Sequence, residues 1–232
     1  MKYETKKEII NILLLPIYAI SPKLGFYIRG ILIQDLRQKI RAIKTHFPEF
    51  SFWRAHLMNG GASFCFLIDN KYVIKIKKNY SETTRASLIR EKKITDAIRK
   101  ETSVKVPNIT IYDALGYTFT KYDLIDGINL NKIALPEIVA NRVRLGIQLG
   151  DFIFALHNAG FSHNDLSNNI LVNSKMNLAG VIDWEFATPL SERDEIWDFF
   201  QLNRKNINKI KQSNLVIFVM KQYYKRVIDE KK

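Results

Sequence analysis

The chain has 232 residues, 47% of them hydrophobic and 25% charged, and carries a formal net charge of +13. That balance excludes a disordered chain and leaves room for one large domain or two small lobes, while the basic excess favours anionic partners (nucleotides, nucleic acid, phospholipid or lipopolysaccharide) without choosing among them. The lone Cys65 excludes an internal disulfide and suits a reducing cytosol, and the scattered histidines at 46, 56, 157 and 163 exclude a zinc module.

Residues 4–20 read as a first helix. Its apolar run from Ile12 to Ile20 is broken by Pro16 and closed by Ser21-Pro22-Lys23. A spanning helix needs roughly 20 apolar residues, so this run is too short to cross a membrane. Two readings stay open: a helix packed on the core, or a helix lying in a membrane interface, since Lys2, Lys6, Lys7 and Lys23 flank the run. The small-residue cleavage pattern of a signal peptide is missing, and the expected location is the cytoplasm, with peripheral membrane contact through residues 4–33 as the variant. A second helix is predicted over 30–45. There Ile31, Leu32, Leu36, Ile40 and Ile43 recur at helical spacing, with Arg37, Lys39, Arg41 and Lys44 assigned to the surface.

From residue 52 the pattern turns to strands. Trp53 to Leu57 leads to Asn59-Gly60-Gly61-Ala62-Ser63, then to an apolar strand over 64–68. Asp69-Asn70 marks a turn, and Tyr72-Val73-Ile74-Lys75-Ile76-Lys77 follows. Gly60 and Gly61 lack a Cβ and let backbone amides approach phosphates, although an ordinary hairpin turn accounts for them equally well. Lys75 and Lys77 share strand parity, so either could face inward. Leu88 to Ile94 reads as a charged helix carrying Glu91. Val106-Pro107-Asn108 opens another strand region, and Tyr117 to Tyr122 is β-rich and ends near Asp126-Gly127. Leu145, Leu149, Phe152, Ile153 and Leu156 keep a helical period up to Asn158-Ala159-Gly160, with Phe152 and Phe154 assigned to packing.

The stretch that follows carries the chemistry. Phe161-Ser162-His163-Asn164-Asp165-Leu166-Ser167-Asn168-Asn169 precedes the strand–turn–strand pattern Ile170-Leu171-Val172, Asn173-Ser174-Lys175, Ala179 to Ile182, and the second apolar run ends at Asp183-Trp184. Phosphoryl transfer needs one carboxylate to orient the acceptor hydroxyl, and an amide oxygen with a second carboxylate to hold Mg²⁺ against the nucleotide phosphates. Asp165, Asn169 and Asp183 offer these groups in the order that kinases use, after a His-x-Asp. Beyond them, Ser191 is a plausible helix cap with acids in the first turn, and residues 204–225 read as one or two basic amphipathic helices.

These motifs resemble the kinase-like phosphotransferases, in the branch of the aminoglycoside phosphotransferases, choline kinases and lipopolysaccharide sugar kinases. That branch writes His-Gly-Asp-Leu-x-x-x-Asn-Ile-Leu and Ile-Asp-Trp; this chain has His163-Asn164-Asp165-Leu166 and Ile182-Asp183-Trp184. The likeness runs from about Leu57 to Leu202. One departure stands out: Asn169 is four positions after Asp165 where the family has five, so the loop is one residue short. Asn168 is also an amide, but Asn169 is favoured because Ile170-Leu171 follows it as in the family.

The resemblance implies an α+β, bilobal protein-kinase-like fold. An N-terminal extension would cover 1–50, an antiparallel sheet lobe with one main helix 51–125, and a mainly helical lobe 126–232. It implies catalysis by Asp165 with His163 bracing the loop, Mg²⁺ on Asn169 and Asp183, and ATP bound through Gly60, Gly61, Lys75 and its partner Glu91. Backbone groups over Asp123 to Ile125 would bind adenine, and Asp198 would brace the catalytic loop. The expected acceptor is the hydroxyl of a sugar, glycolipid or other small molecule. A protein acceptor is disfavoured because no Ala-Pro-Glu follows Asp183. A nucleotide-binding scaffold without turnover is the alternative. Specific nucleic-acid binding is not expected, because the lysines are dispersed and no RNP-like aromatic motif occurs.

Overall fold

The runs expected as strands over 64–68, 72–77 and 117–122 fold as strands. The computed structural model describes residues 12–17, 19–21, 24–25, 28, 34–51, 55–58, 62–190 and 208–231. Among these, five strands form one antiparallel sheet: β1 (Ala55–Met58), β2 (Ser63–Ile68), β3 (Tyr72–Lys77), β4 (Ile109–Ala114) and β5 (Tyr117–Asp123), in the order β1-β2-β3-β5-β4. Asp69 and Asn70 both take positive φ in the predicted turn between β2 and β3. The two-residue turn between β4 and β5 holds Leu115 and Gly116, again both at positive φ, as a primed hairpin turn requires.

One face of this sheet buries Phe64, Phe66, Ile68, Ile74, Ile76 and Phe119. Helix α1 (Gln34–His46) supplies the other half of that core with Leu36, Ile40 and Ile43, continued by Phe47 and Phe50. The helical spacing expected over 30–45 is therefore real where it can be followed, with one correction. Lys39 is not a surface residue but 1% exposed. Its ammonium donates to the Lys78 carbonyl at 2.6 Å and lies 5.7 Å from the centre of the Tyr117 ring, so the charge is satisfied while the stem packs. Residues 12–17 and 19–20 are helical, whereas 4–11 and 30–33 lie outside the described residues.

Helix α2 (Thr83–Glu101) buries Leu88, Glu91, Ile94 and Ile98 on a single stripe. Near its start, Arg85 donates to Asp113 at 3.1 Å. The Thr118 hydroxyl, 2.6 Å from the same carboxylate, holds Asp113 below its ordinary range; burial opposes this, and Arg85 adds to it.

Met1–Leu88 with Ile109–Leu124 form one compact unit, and Ile89–Asn108 with Ile125–Lys232 a second. The core of the second unit is helical. Helix α3 (Leu135–Asn158) buries Leu145, Leu149, Phe152, Ile153, Phe154 and Leu156, as its period predicts. Helices α4 (Asn208–Gln212) and α5 (Leu215–Glu230) follow, with Leu215, Val219 and Tyr223 in the same core. Glycines let α3 and α5 approach closely: a Cβ on Gly146 would lie 2.3 Å from Phe218 Cβ, and one on Gly150 would lie 2.7 Å from the Val219 carbonyl oxygen. The second unit also holds short strands: β6 (Ile128–Asn129), β8 (Ile170–Val172) and β9 (Leu178–Val181) in one sheet, and β7 (Phe161–Ser162) paired with β10 (Thr188–Pro189). The helix expected after Ser191, and Asp198 with it, lie outside the described residues.

Candidate active site

The second unit brings Asp165, Asn169 and the Asp183 segment together by local chain geometry. Helix α3 ends at Asn158, and Gly160, at φ +81°, turns the chain into β7. The loop 163–169 follows. Its middle is a 3₁₀ turn (Leu166–Asn168) anchored by the buried Leu166. Strands β8 and β9 then pair antiparallel, Ile170 opposite Val181, and bring the chain back beside the loop. The ladder continues one step further, because Ile182 donates its amide to the Asn169 carbonyl at 3.0 Å. Asn169 thus sits across from the residue that precedes Asp183.

The short spacing between Asp165 and Asn169 has a direct geometric result. Asn169 is buried, and its Nδ2 donates to the Asp165 carbonyl at 2.7 Å and to Asp165 Oδ2 at 3.2 Å. A four-residue separation closes the loop on itself through this amide. With Nδ2 turned inward, Oδ1 is the end of the amide available to a cation. The donor set of Asn169 and Asp183 is all oxygen, which suits a hard divalent ion such as Mg²⁺. Asn168 is exposed, and its Oδ1 accepts from Asn131 Nδ2 at 2.9 Å. Among the described residues, no group of three or more His, Cys, Asp or Glu that could hold a metal occurs.

His163 is fully buried and brackets the Asp183 segment. Its Nε2 donates to the Ile182 carbonyl at 3.1 Å, and its ring lies 4.5 Å from the centre of the buried Trp184 ring. The Asp165 amide donates to Nδ1 at 3.3 Å. A carbonyl only accepts, so the ring proton sits on Nε2 and Nδ1 is the acceptor. Both nitrogens are engaged with the backbone.

Three side chains missed at the level of sequence hold this loop. Asn164 takes φ +62°, at the position where the family motif has glycine, and Asp183 takes φ +61°. The Asn164 side chain accepts from Ser162 Oγ at 2.9 Å and donates to the Phe186 carbonyl at 3.1 Å and to Thr188 Oγ1 at 2.8 Å. From β6 and the turn after it, Asn129 donates to the Asn168 carbonyl, and Asn131 donates to the Ser167 carbonyl at 3.1 Å. The signal for Asn164 was present as an Asn standing in a glycine position. For Asn129 and Asn131 no local signal exists, because their partners lie well over thirty residues away in the chain.

The remaining candidates are placed as follows. Lys75 is 7% exposed on β3, opposite Cys65 and Thr120, whereas Lys77 is only half-buried. Burial therefore separates two lysines that strand parity could not. Glu91 is 6% exposed on α2. Asp123 ends β5 and is exposed; Leu124 donates its amide to the Lys71 carbonyl at 2.9 Å, and Ile125 packs its side chain close to Gly180. Gly60 and Gly61 lie outside the described residues.

The architecture has counterparts among solved structures. A GDP complex of a mutant aminoglycoside 2'-phosphotransferase-IIIa aligns at TM-score 0.61 with 17% identity, covering 80% of each chain. The streptomycin–ATP complex of APH(2")-IIa aligns at TM-score 0.60 with 16% identity, over 78% of this chain and 81% of that one. The fold is kinase-like. The kinase-like fold is also that of the ADP-bound aminoglycoside phosphotransferase APH(2'')-Ib, at TM-score 0.55 and 18% identity over 74% and 76% of the two chains. No protein-family model and no curated protein matches the sequence.

Proposed function

We propose that this chain is a phosphotransferase that moves the γ-phosphoryl group of ATP, with Mg²⁺, to a hydroxyl group on a small molecule. The observation that carries this reading is the bonded run Asp165–Asn169–Ile182, which ties the expected hydroxyl-orienting carboxylate to the expected metal segment on a kinase-like fold. Asp165 takes the acceptor's proton as its oxygen attacks the γ-phosphorus, the bond from that phosphorus to the β,γ-bridging oxygen breaks, and ADP leaves. Asn169 and Asp183 hold Mg²⁺, which offsets charge on the phosphate oxygens when bound. Lys75 meets the α- and β-phosphates, and Glu91 takes the supporting role that the family resemblance gives it; both side chains are buried. Gly60 and Gly61 cradle phosphate. Leu124 already spends its amide on Lys71, so adenine contacts fall to the backbone of Asp123 and Ile125. His163 braces rather than transfers protons.

The acceptor class is proposed to be a sugar or glycolipid. Of the structural neighbours, one holds streptomycin with ATP, one kanamycin with GDP and one gentamicin, and these aminoglycosides carry sugar hydroxyls. The test is a screen of labelled ATP and GTP against sugars, lipopolysaccharide core fragments and aminoglycosides. Asp165→Ala is expected to lower turnover by roughly 10²–10⁴-fold, and Asp183→Ala to abolish it. Near-normal rates in either variant would overturn the assignment.

A glycolipid acceptor also gives the N-terminus a role. No helix among the described residues is long and apolar enough to cross a membrane. Yet Ile12, Leu13, Leu15 and Ile20 are exposed, Ile20 at 87%. We assign this face to peripheral contact with an anionic membrane, helped by the +13 charge. Cosedimentation with phosphatidylglycerol vesicles is expected, weakened by Ile12→Ser with Leu13→Ser; unchanged sedimentation in that variant would refute it.

A further inference from the structure

Asn164 stands between the two residues of the His-x-Asp motif, and its side chain points to a different stretch of chain. The backbone explains why the residue is tolerated. At φ +62° most L side chains are strained, and after glycine asparagine is among the residues that adopt this region most readily. Glycine would meet the backbone requirement alone. The asparagine adds hydrogen bonds that glycine cannot make: one accepted from Ser162 Oγ, one donated to the Phe186 carbonyl and one donated to Thr188 Oγ1. Phe186 and Thr188 lie just after Asp183 and Trp184, so the amide spans from the Asp165 loop to the far side of the Asp183 segment. Pairing of Ser162 with Thr188 in the β7–β10 ladder brings the two stretches side by side, and Asn164 pins them at the end nearest the carboxylates.

We propose that Asn164 is a positioning residue: its side chain fixes the Asp165 loop against the segment that follows Asp183, and so sets the relative placement of the two carboxylates. This rests on the roles given to Asp165 and Asp183 above. Asn164 itself touches no substrate. It acts through the geometry of its neighbours, in the same way that outer partners of catalytic groups usually do.

The decisive variant is Asn164→Gly, which keeps the left-handed backbone and removes all three side-chain bonds. Its kcat is expected to fall about 10- to 100-fold, the usual scale for misplacing a reacting group by around an ångström, with KM for ATP and for the acceptor unchanged within about twofold. Thr188→Val is expected to give a smaller loss of the same kind. The double variant should be no worse than Asn164→Gly alone, because both changes break one connection. Amide hydrogen exchange at Asp165 and over 186–190 should speed up together in Asn164→Gly. Full kcat in Asn164→Gly, strictly additive losses, or exchange that quickens on one side only would each overturn the proposal. Should the wild-type protein transfer no phosphate to any acceptor, the functional reading fails instead, and the exchange result alone decides whether Asn164 couples the two segments.

Discussion

A histidine next to a carboxylate proposed to be catalytic invites assignment as a base, and here hydrogen bonding argues against it. His163 gives Nε2 to the Ile182 carbonyl and takes the Asp165 amide on Nδ1, which leaves the ring no nitrogen to exchange with a substrate. Its contribution is the contact between the loop and the Asp183 segment. We expect His163→Ala to lower kcat by about 10- to 100-fold, the range for a supporting residue, while the pH–rate profile keeps the limb set by the Asp165 carboxylate. Disappearance of that limb would give the ring a proton-transfer role after all. At this scale the candidates for the site could be named beforehand. Asp165, Asn169 and Asp183 were legible because their chemistry and order are demanded together. Asn129 and Asn131 were not, since an amide reaching across the fold to a carbonyl leaves no mark on its own neighbourhood.

Between elements, the tightest constraint is the crossing of α3 and α5. Gly146 and Gly150, one helical turn apart, let α5 come close enough that a methyl group has no space. At Gly146 the obstruction is Phe218 Cβ and, at 3.0 Å, the Phe218 carbonyl carbon, so rotating a side chain cannot relieve it. Gly146→Ala is therefore expected to destabilise the protein by roughly 1–3 kcal/mol, the usual cost of overpacking, seen as a lower Tm with the far-UV spectrum unchanged. An unchanged Tm would mean that the helices separate freely. Helix α3 was visible in the sequence through its apolar period, and α4 with much of α5 in the helical reading of 204–225, but the pairing of α3 with α5 was not. The close approach is encoded in two glycines that, by propensity alone, argue weakly against helix.

For the chain as a whole, strands, turns and the order of elements were readable because each has a local cause: β-rich runs over 64–68 and 72–77, Asp69-Asn70 at the bend, Gly160 after α3. What escaped is which face meets what. Lys39 looked like a solvated residue on a basic helix, and the helix proved to be pressed against the sheet on that side. The consequence reaches past the lysine. A polypeptide started at residue 51, just after the predicted N-terminal extension, would strip Phe64, Phe66, Ile74, Ile76 and Phe119 of their cover. It is expected to precipitate, not to behave as a minimal catalyst, and a soluble product with a sharp melting transition would contradict this. Whatever trims this protein from its front end reaches the five-stranded sheet long before it reaches the His163–Asp165 loop.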